Sequence, residues 1–358
     1  MAPLAHALAA AGVAPRLILT GQHPGLAAAD HGLTGLPCDQ LGCKGLEDPH
    51  EHAALIAGAV GAVLRHDPPD LVIVQGDTSS ALGGAEAAVE LALPLAHVEA
   101  GLRSFDLKMP WPEEGNRIAI DAMADLLFAP TETAAANLRA ESLPGAIHIT
   151  GNTGIDALMA TLATLPAVPP RPRRIGEPLD LLVTCHRREN WGTGLIELAL
   201  ALVRLAREGT ARIEVMLHPN PRVAEVMHLL FEGKPGMTVT MPASHPAMIT
   251  RLRQADLVLS DSGGVQEEAP TLGVPLLVLR ERTERPEAID SGNALLVGTG
   301  TDRILAEVRR LAADPPALAR MAVAAHPFGD GHAAPRIAAH IRTWLIQRDR
   351  SARDRRRA

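Results

Sequence analysis

The sequence has no tyrosine, and aromatic residues make up only 2% of its 358 residues. A stacking platform for single-stranded nucleic acid is therefore not expected. The formal net charge of −7 also argues against a general affinity for nucleic acid. The end of the chain, RDRSARDRRRA at residues 348 to 358, is locally basic, and we interpret it as a solvated tail rather than a binding arm.

Cysteine is also scarce, since the chain has only Cys38, Cys43 and Cys185, without a C-x-x-C pair. This number and spacing argue against a disulfide framework or a zinc knuckle and favour free thiols. No apolar run approaches the roughly 18 residues that cross a bilayer. The start, MAPLAHALAAAG, lacks the basic leader and apolar core of a signal peptide. We therefore expect a cytoplasmic protein.

The length predicts two domains, at about 150 residues each. Strand-like runs of Val, Ile and Leu alternate with helical stretches, and continuous apolar runs are typical of parallel strands that are covered on both faces. The runs are RLILTG, DLVIVQGD, PLAHVE, DLLFAP, IHITGN, LDLLVTCH, RIEVMLH, MTVTMP, ADLVLSDS, PLLVLR and ALLVG. The sequence therefore predicts an α/β protein with parallel sheets. The proline-rich segment at residues 165 to 178 is predicted to link its two lobes.

Ligands of an open α/β sheet bind beyond the carboxyl ends of its strands, so the residues that follow each run are candidates. Five runs end in polar residues: Asp77, Glu99, the cluster His186-Arg187-Arg188-Glu189, His218, and the turn Ser260-Asp261-Ser262-Gly263-Gly264. Asp77 and Glu99 could equally be helix caps. The His186 cluster gathers cations that favour a phosphate, with a surface turn as the alternative.

The run DSGGVQEE at residues 261 to 268 is the most specific of these signals. Its two glycines allow backbone amides to approach a ligand, and the helix N-terminus that follows favours an anion. Glu268 lies one turn further along, which suits a ribose beside a diphosphate. An ordinary strand-to-helix turn with acids that complement the dipole is the alternative. Neither G-x-G-x-x-G nor a P-loop lysine motif occurs.

The stretch PWPEEGNR at residues 110 to 117 has the marks of a helix start, with a proline and two acids ahead of a helical pattern. Its stiffness also suits a carboxylate that is held against a substrate. The residue pattern alone leaves open whether these acids are catalytic or only complement the helix dipole.

The motifs QGDTSSALGGA, HVEAGLRS, PWPEEGNR, TGNTGIDAL, CHRRENWG, HPNPRV, DSGGVQEEAPTLGVPLLVLRERTERPE and GDG occur in this order. Over nearly the whole chain they resemble the non-hydrolysing UDP-N-acetylglucosamine 2-epimerases. The resemblance implies a glycosyltransferase-B type fold of two Rossmann-like lobes with the active site between them. It also implies interconversion of UDP-N-acetylglucosamine and UDP-N-acetylmannosamine through UDP elimination, a 2-acetamidoglucal intermediate and UDP re-addition. Neither a metal nor a nicotinamide cofactor is implied.

The resemblance also assigns roles to residues that match the family's motifs. The implied catalytic residues are Asp77, Glu99, Glu113 and His186, the last serving the departing diphosphate. With Glu113 in this role, we leave Glu114 to the helix dipole. The implied substrate and UDP ligands are Arg117, Ser262, Gly263, Gly264 and Glu268, with Glu268 on the ribose. Arg187 and His218 join them as UDP-binding candidates from the strand ends.

The chemistry is consistent with several carboxylates. The C2 proton is not alpha to a carbonyl, so its loss must be coupled to departure of a stabilised diphosphate, and the two faces of C2 need separate acid and base groups. Carboxylates around one sugar can have pKa values separated by repulsion and burial.

The resemblance also predicts the domain organisation. An N-terminal lobe is predicted over residues 1 to 165, a linker over 166 to 178 and a UDP-binding lobe over 179 to 335. A helix over 336 to 347 is expected to pack back on the first lobe, ahead of a disordered tail over 348 to 358. A homodimer that serves polysaccharide synthesis is the family's usual form.

Three features depart from the family. The chain begins where the family already has a strand and a Gly-Thr-Arg-Pro-Glu turn, so we expect the natural protein to start upstream or this form to be poorly active. Gln22-His23-Pro24 replaces a Gln-His-Arg run, which puts a regulatory UDP-sugar site in doubt. The aromatic residue expected near the uracil is replaced within ASHPAMI, residues 243 to 249.

Four other functions stay open at this point. A hydrolysing epimerase would share the elimination step but release N-acetylmannosamine and UDP. An epimerase of another UDP-sugar would need an additional cation near C6. A transferase of the same fold would need an acceptor site instead of three carboxylates. A binding or regulatory protein derived from the enzyme is the fourth.

Overall fold

The computed structural model describes residues 1–22, 28–168, 176–185, 187, 190–218 and 220–357. It divides into two compact units, one formed by Met1–Ala157 with Gly329–Ala358 and the other by Leu158–Phe328. The predicted linker lies partly outside the described residues, and the predicted domain bounds stay predictions. Both units are α/β, and the strand pairs described in them are parallel. The parallel α/β class predicted from the apolar runs is therefore confirmed.

The first unit alternates strands with helices along the chain. Its elements are α1 (Ala2–Ala10), β1 (Leu17–Leu19), β2 (Cys38–Gln40), α2 (Pro49–His66), β3 (Val72–Gln75), α3 (Ser79–Glu90), β4 (Leu95–Val98), α4 (Glu113–Met123), β5 (Leu126–Ala129), α5 (Glu132–Ala140), β6 (Ala146–Ile149), α6 (Thr153–Leu162) and α14 (Ala333–Arg357). Helix α6 runs on across the boundary into the second unit.

The sheet of the first unit has the order β3-β4-β5-β6, while β1 and β2 form a separate two-stranded sheet. Gln75 of β3 is in register with Val98 of β4, and Val98 is in register with Phe128 of β5. The carboxyl ends of β3 and β4 are therefore adjacent. Because Asp77 and Glu99 follow these ends directly, the sheet brings the two carboxylates to the same edge.

Helices cover both faces of this sheet. On one face, α1 and α14 pack on Ala96, Val98 and Phe128. On the other, α3, α4 and α5 pack on Leu95 and Leu127. Side chains of a strand alternate between faces, so His97 points to the side of α3 and α4. That orientation places the only polar side chain of β4 beneath the helix that carries Glu113.

The second unit repeats the same alternation on a larger sheet. Its elements are β7 (Leu179–Thr184), α7 (Thr193–Arg207), β8 (Ala211–Met216), α8 (Pro221–Phe231), β9 (Met237–Thr240), α9 (His245–Gln254), β10 (Leu257–Ser260), α10 (Gly263–Leu272), β11 (Leu276–Val278), α11 (Pro286–Asp290), β12 (Ala294–Leu296), α12 (Thr301–Ala313) and α13 (Pro315–Met321).

Its six strands have the order β12-β11-β10-β7-β8-β9. At the centre, Thr184 of β7 is in register with Ser260 of β10, and their hydroxyls are 2.7 Å apart. The strands β7 and β10 are almost wholly buried, as their continuous apolar runs predict. The loop after β7 and the turn after β10 therefore start side by side.

All eleven apolar runs form strands, but β2 was not predicted. Its sequence Cys-Asp-Gln is short, mostly exposed and without an apolar run. Within the described residues, no helix is long and apolar enough to cross a membrane.

Candidate active site

Asp77 lies at the carboxyl end of β3, after a tight turn at Gly76 with φ of 69°. Helix α3 is capped by Thr78, whose hydroxyl accepts from the amide of Ala81. The helix-cap alternative for Asp77 is therefore wrong. Its carboxylate instead forms an ion pair with Arg117, with Nη2 and Oδ2 2.7 Å apart, and its backbone carbonyl accepts from the side-chain amide of Asn116 at 2.7 Å.

Glu114 corrects our interpretation of the helix start. It is 1% exposed, and its carboxylate accepts from the backbone amides of Ser104 and Phe105 and from Arg117 Nη1. It thus connects α4 to the loop after β4 and fixes Arg117 from the opposite side to Asp77. First-turn acids commonly face solvent near the dipole, and the sequence carries no sign of the tertiary partners that bury this one.

Glu113 is the first residue of α4, so the predicted helix start is confirmed. It precedes Asn116 by three residues and Arg117 by four, and residues at these spacings share one face of a helix. Asn116 and Arg117 both bond to Asp77. Glu113 therefore lies on the face of α4 that is turned toward the end of β3.

Glu99 follows β4 with φ of 71°, a left-handed conformation that a non-glycine residue rarely adopts. Two successive amides, those of Glu99 and Ala100, donate to the carbonyl of Phe128. The carboxylate oxygen Oε2 of Glu99 accepts from the side-chain amide of Gln75 at 3.4 Å. A strained backbone at a strand end that carries a carboxylate is characteristic of functional sites.

A buried polar chain lies behind these strand ends. His97 donates from Nδ1 to Asp121 at 2.6 Å and from Nε2 to the carbonyl of Gly76 at 3.0 Å. Arg103 bonds the other carboxylate oxygen of Asp121 at 2.7 Å. Burial raises the pKa of Asp121, but the hydrogen bonds and charges of His97 and Arg103 outweigh it and hold that pKa below its usual range. The chain joins α4 to the turn that carries Asp77.

In the second unit, the turn after β10 places Ser262, Gly263 and Gly264 at the N-terminus of α10. The first amides of a helix lack intrahelical acceptors and favour an anion. A Cβ on Gly263 would lie 2.8 Å from the guanidinium of Arg285. A larger residue at position 263 would therefore have to displace the Arg285 side chain, which lies against the helix end.

Three arginines, Arg187, Arg280 and Arg285, surround Glu284 next to this helix end. Arg280 bonds Glu284 at 2.7 Å, Arg285 bonds both Glu284 and Glu267, and Arg187 lies 3.6 Å from Glu284. Among the described residues, the cluster gathers three guanidinium groups around Glu284, and guanidinium groups are suited to binding a phosphate. Our sequence interpretation gave no role to Arg280 and Arg285, although the alternation of charges in RERTERPE carried the signal.

Asp261 is fully buried and organises the loop after β7. Its Oδ2 accepts from the backbone amide of Arg187 at 2.9 Å and from the side-chain amide of Asn190 at 2.8 Å. Cys185 Sγ also donates to it at 3.5 Å. His186, with Arg188 and Glu189, lies outside the described residues, so its predicted role stays a prediction.

Glu268 and His218 complete the predicted set. Glu268 accepts from His245 Nε2 at 3.0 Å, across from α9 to α10. His218 follows β8 and accepts on Nδ1 from the amide of Asn220 at 2.8 Å. Its ring lies edge-on to Trp191 of the loop after β7, with centroids 5.8 Å apart. His218 therefore neighbours that loop.

The first unit thus groups carboxylates around a buried arginine, and the second groups arginines at a glycine-rich helix N-terminus. Together with the parallel sheets of the two units, these sites define an α/β protein of the glycosyltransferase-B type. The model of one family, described as UDP-N-acetylglucosamine 2-epimerase, matches residues 6–342. The chain belongs to this family.

Individual sequences and solved structures of this family are also similar to the chain. A probable UDP-N-acetylglucosamine 2-epimerase of Ralstonia nicotianae is 40% identical over 309 residues, which are 84% of this chain and 82% of that protein. A structure of S. aureus MnaA with UDP has a TM-score of 0.87 at 32% identity, covering 97% of this chain and 93% of that one. The Neisseria meningitidis UDP-GlcNAc 2-epimerase bound to UDP-GlcNAc has a TM-score of 0.82 at 30% identity, covering 96% of both chains.

Proposed function

We propose that the chain interconverts UDP-N-acetylglucosamine and UDP-N-acetylmannosamine by epimerisation at C2. The observation that carries the proposal is the group of Asp77, Glu99 and Glu113 at one edge of the first sheet, in a chain of this family. A transferase of the same fold would not need several carboxylates around one sugar carbon. The enzyme would use no metal and no nicotinamide.

In the proposed reaction, one carboxylate takes the C2 proton while the bond between C1 and the diphosphate oxygen breaks. The C–H electron pair forms the C1=C2 double bond of 2-acetamidoglucal, and UDP leaves with the electron pair of the C1–O bond. A proton then returns to the opposite face of C2, and the diphosphate oxygen bonds C1 again. Asp77, Glu99 and Glu113 are proposed to supply the base and the acid for the two faces.

Rigid positioning of these groups supports the proposal. Arg117 is 1% exposed and bonds both Asp77 and Glu114, so the Asp77 carboxylate has a fixed orientation. His97 ties the carbonyl before Asp77 to the buried Asp121. Groups that are held before the substrate arrives need no reorganisation during the reaction.

The proposed UDP site lies in the second unit. The diphosphate would bind the amides of Ser262, Gly263 and Gly264 at the N-terminus of α10, next to Arg187 and the other two arginines. Glu268 lies four residues after Gly264, about 6 Å along the helix at 1.5 Å per residue. That distance suits a ribose next to the diphosphate. His186 is proposed to serve the leaving diphosphate, and His218 is proposed to bind UDP.

We also propose that the protein acts in the cytoplasm, where nucleotide sugars are made, and as a homodimer, as the resemblance to the family implies. Sedimentation at several protein concentrations tests the dimer. A monomer at every concentration would contradict it.

The proposed reaction is tested by incubating the protein with UDP-N-acetylglucosamine in D2O and following C2 by proton NMR. We expect deuterium at C2 together with UDP-N-acetylmannosamine, and no exchange with the Asp77→Asn variant. Release of free N-acetylmannosamine and UDP would show the hydrolysing reaction instead. Absence of any exchange would contradict the proposal.

A further inference from the structure

His245 occupies a place where the sequence departs from its family. It is the first residue of α9 and lies within ASHPAMI, the segment that lacks the expected aromatic residue. Its Nε2 lies 3.0 Å from Oε1 of Glu268, and its Nδ1 lies 3.2 Å from the hydroxyl of Thr161 on α6. The imidazole is thus held at both nitrogens, by groups from two different helices.

The hydrogen bond to Glu268 has a defined direction. A carboxylate only accepts, so Nε2 carries the proton. The Glu268 side chain is 16% exposed, whereas that of His245 is 42% exposed. Within the described residues, His245 is the hydrogen-bond partner of the Glu268 side chain, and it donates to Oε1. The second oxygen, Oε2, is therefore left for a ligand, while the bond at Oε1 restricts rotation of the carboxylate.

We propose that His245 is a positioning residue that orients Glu268 toward a ribose hydroxyl and so makes the protein prefer UDP over deoxyribose analogues. This inference rests on the proposed UDP site. Glu268 is on the same face of α10 as Gly264, so its carboxylate lies one turn from the proposed diphosphate position. His245 approaches the carboxylate from α9, at Oε1.

The charge of Glu268 supports its pairing with His245. The hydrogen bond and charge of Glu268 raise the pKa of His245 above its ordinary value, against the opposing effect of partial burial. A protonated imidazole makes the stronger, charge-assisted bond to the carboxylate. In the part of the chain that the structure describes, the ring hydrogen-bonds with the Glu268 carboxylate of α10 and the Thr161 hydroxyl of α6. Thr161 carries no charge, so Glu268 dominates the electrostatics of the ring.

The test measures binding of UDP, 2′-deoxy-UDP and 3′-deoxy-UDP by isothermal titration calorimetry. A ribose hydroxyl that donates to a fixed carboxylate should make the wild-type protein prefer UDP over one deoxy analogue by about tenfold or more. His245→Ala should reduce this preference to about threefold or less, with Kd for that analogue nearly unchanged. His245→Gln, whose amide also reaches Glu268, should restore the preference. His245→Asn, which is polar but shorter, should not.

Two variants separate the possible failures. Glu268→Ala should abolish the preference altogether. If Glu268→Ala loses the preference but His245→Ala keeps the full wild-type ratio, the inference about His245 is wrong and the UDP site stands. If Glu268→Ala also keeps the ratio, the ribose assignment is wrong and the inference falls with it.

The His228→Ala variant is the control for effects that removal of any histidine could have on folding and binding. His228 of α8 pairs with Glu232, the residue that follows this helix, 3.4 Å away, and both side chains are largely exposed. This variant should bind all three nucleotides as the wild type does. For the reaction itself, His245→Ala should raise KM for UDP-N-acetylglucosamine and leave kcat within about twofold. A fall in kcat with an unchanged KM would overturn the positioning role.

Discussion

Arg117 of α4 and Asp77 after β3 form an ion pair of 2.7 Å in which the arginine side chain is 1% exposed and the aspartate side chain is 25% exposed. The arginine is thus held inside the protein while the carboxylate keeps an accessible side. Glu114 holds the same guanidinium from its other end at 2.7 Å. Such a fork fixes the direction in which the Asp77 carboxylate faces a substrate.

The first prediction concerns Arg117→Lys. A lysine keeps the charge but has one ammonium group, which cannot bond Asp77 and Glu114 in the fork geometry of a guanidinium. We expect kcat for epimerisation to fall about 10- to 100-fold, because the carboxylate loses its orientation. Initial rates followed by NMR check this, with thermal unfolding as the control for stability. Wild-type kcat would contradict the role of the fork.

The neighbouring glutamates of α4 should behave in opposite ways. Glu113→Gln should reduce turnover at least 100-fold with little change in the free energy of unfolding, because the helix start is kept. Glu114→Ala should cost about 3 to 5 kcal/mol of stability, because it leaves Arg117 buried without one of its carboxylates and two loop amides without an acceptor. Urea denaturation and turnover assays check both. If Glu113→Gln unfolds easily but turns over normally, Glu113 only starts the helix.

Glu99 should show a conflict between stability and activity. Its φ of 71° is costly for a residue with a Cβ and costs glycine nothing. Glu99→Gly should therefore be more stable than Glu99→Ala by about 1 kcal/mol, while both lose turnover. The alanine variant is the matched control, because it removes the same carboxylate without relieving the backbone. Equal stability of the two variants would show that no strain is stored there.

Gly263 and Gly264 provide a matched pair at the start of α10. A Cβ at Gly263 meets the Arg285 guanidinium at 2.8 Å, whereas one at Gly264 meets nothing nearer than the Ser262 hydroxyl at 3.9 Å. Gly263→Ala should displace Arg285 and weaken UDP binding about tenfold or more. Gly264→Ala should leave the free energy of unfolding unchanged or raise it, as an ordinary glycine replacement in a helix does. Gly263→Ala should lower it. Calorimetry with UDP and urea denaturation measure the two effects. Unchanged UDP affinity of Gly263→Ala would contradict this account.

The pH dependence of His245 follows from its raised pKa. A folded-state pKa above the unfolded value of about 6.5 means that the ion pair stabilises the fold fully below that value. The contribution is lost as the pH rises through the folded-state pKa. NMR titration of the His245 ring should give a pKa above 6.5 that falls in Glu268→Gln. A value at or below 6.5 in the wild type would contradict the pairing.

Much of the fold could be predicted because continuous apolar runs mark strands that are buried on both faces. The exception, β2, is short and mostly exposed, so its pairing with β1 depends on neighbours that local sequence does not specify. Likewise, α14 packs against α1 and so joins residues from opposite ends of the chain, a contact that no local residue pattern specifies.

The candidate site was less predictable than the fold. Strand ends pointed to Asp77 and Glu99 because parallel strands expose their following residues at one edge. Glu114 was misassigned because two adjacent acids look alike in the sequence, and only the partners of each distinguish a buried anchor from a surface charge. Arg280 and Arg285 received no role, since three arginines around Glu284 meet only after the chain has folded.

The single carboxylate of Asp261 holds the loop after β7 from beneath the turn after β10, through Arg187 and Asn190. For protein engineering, residues 185 to 190 and residues 260 to 263 therefore form one transplantable part. A chimera that took only one of these segments from a distant relative would no longer have a matched pair of Asp261 and the loop residues that donate to it. Swapping both together would keep Asp261 matched to the loop that it holds.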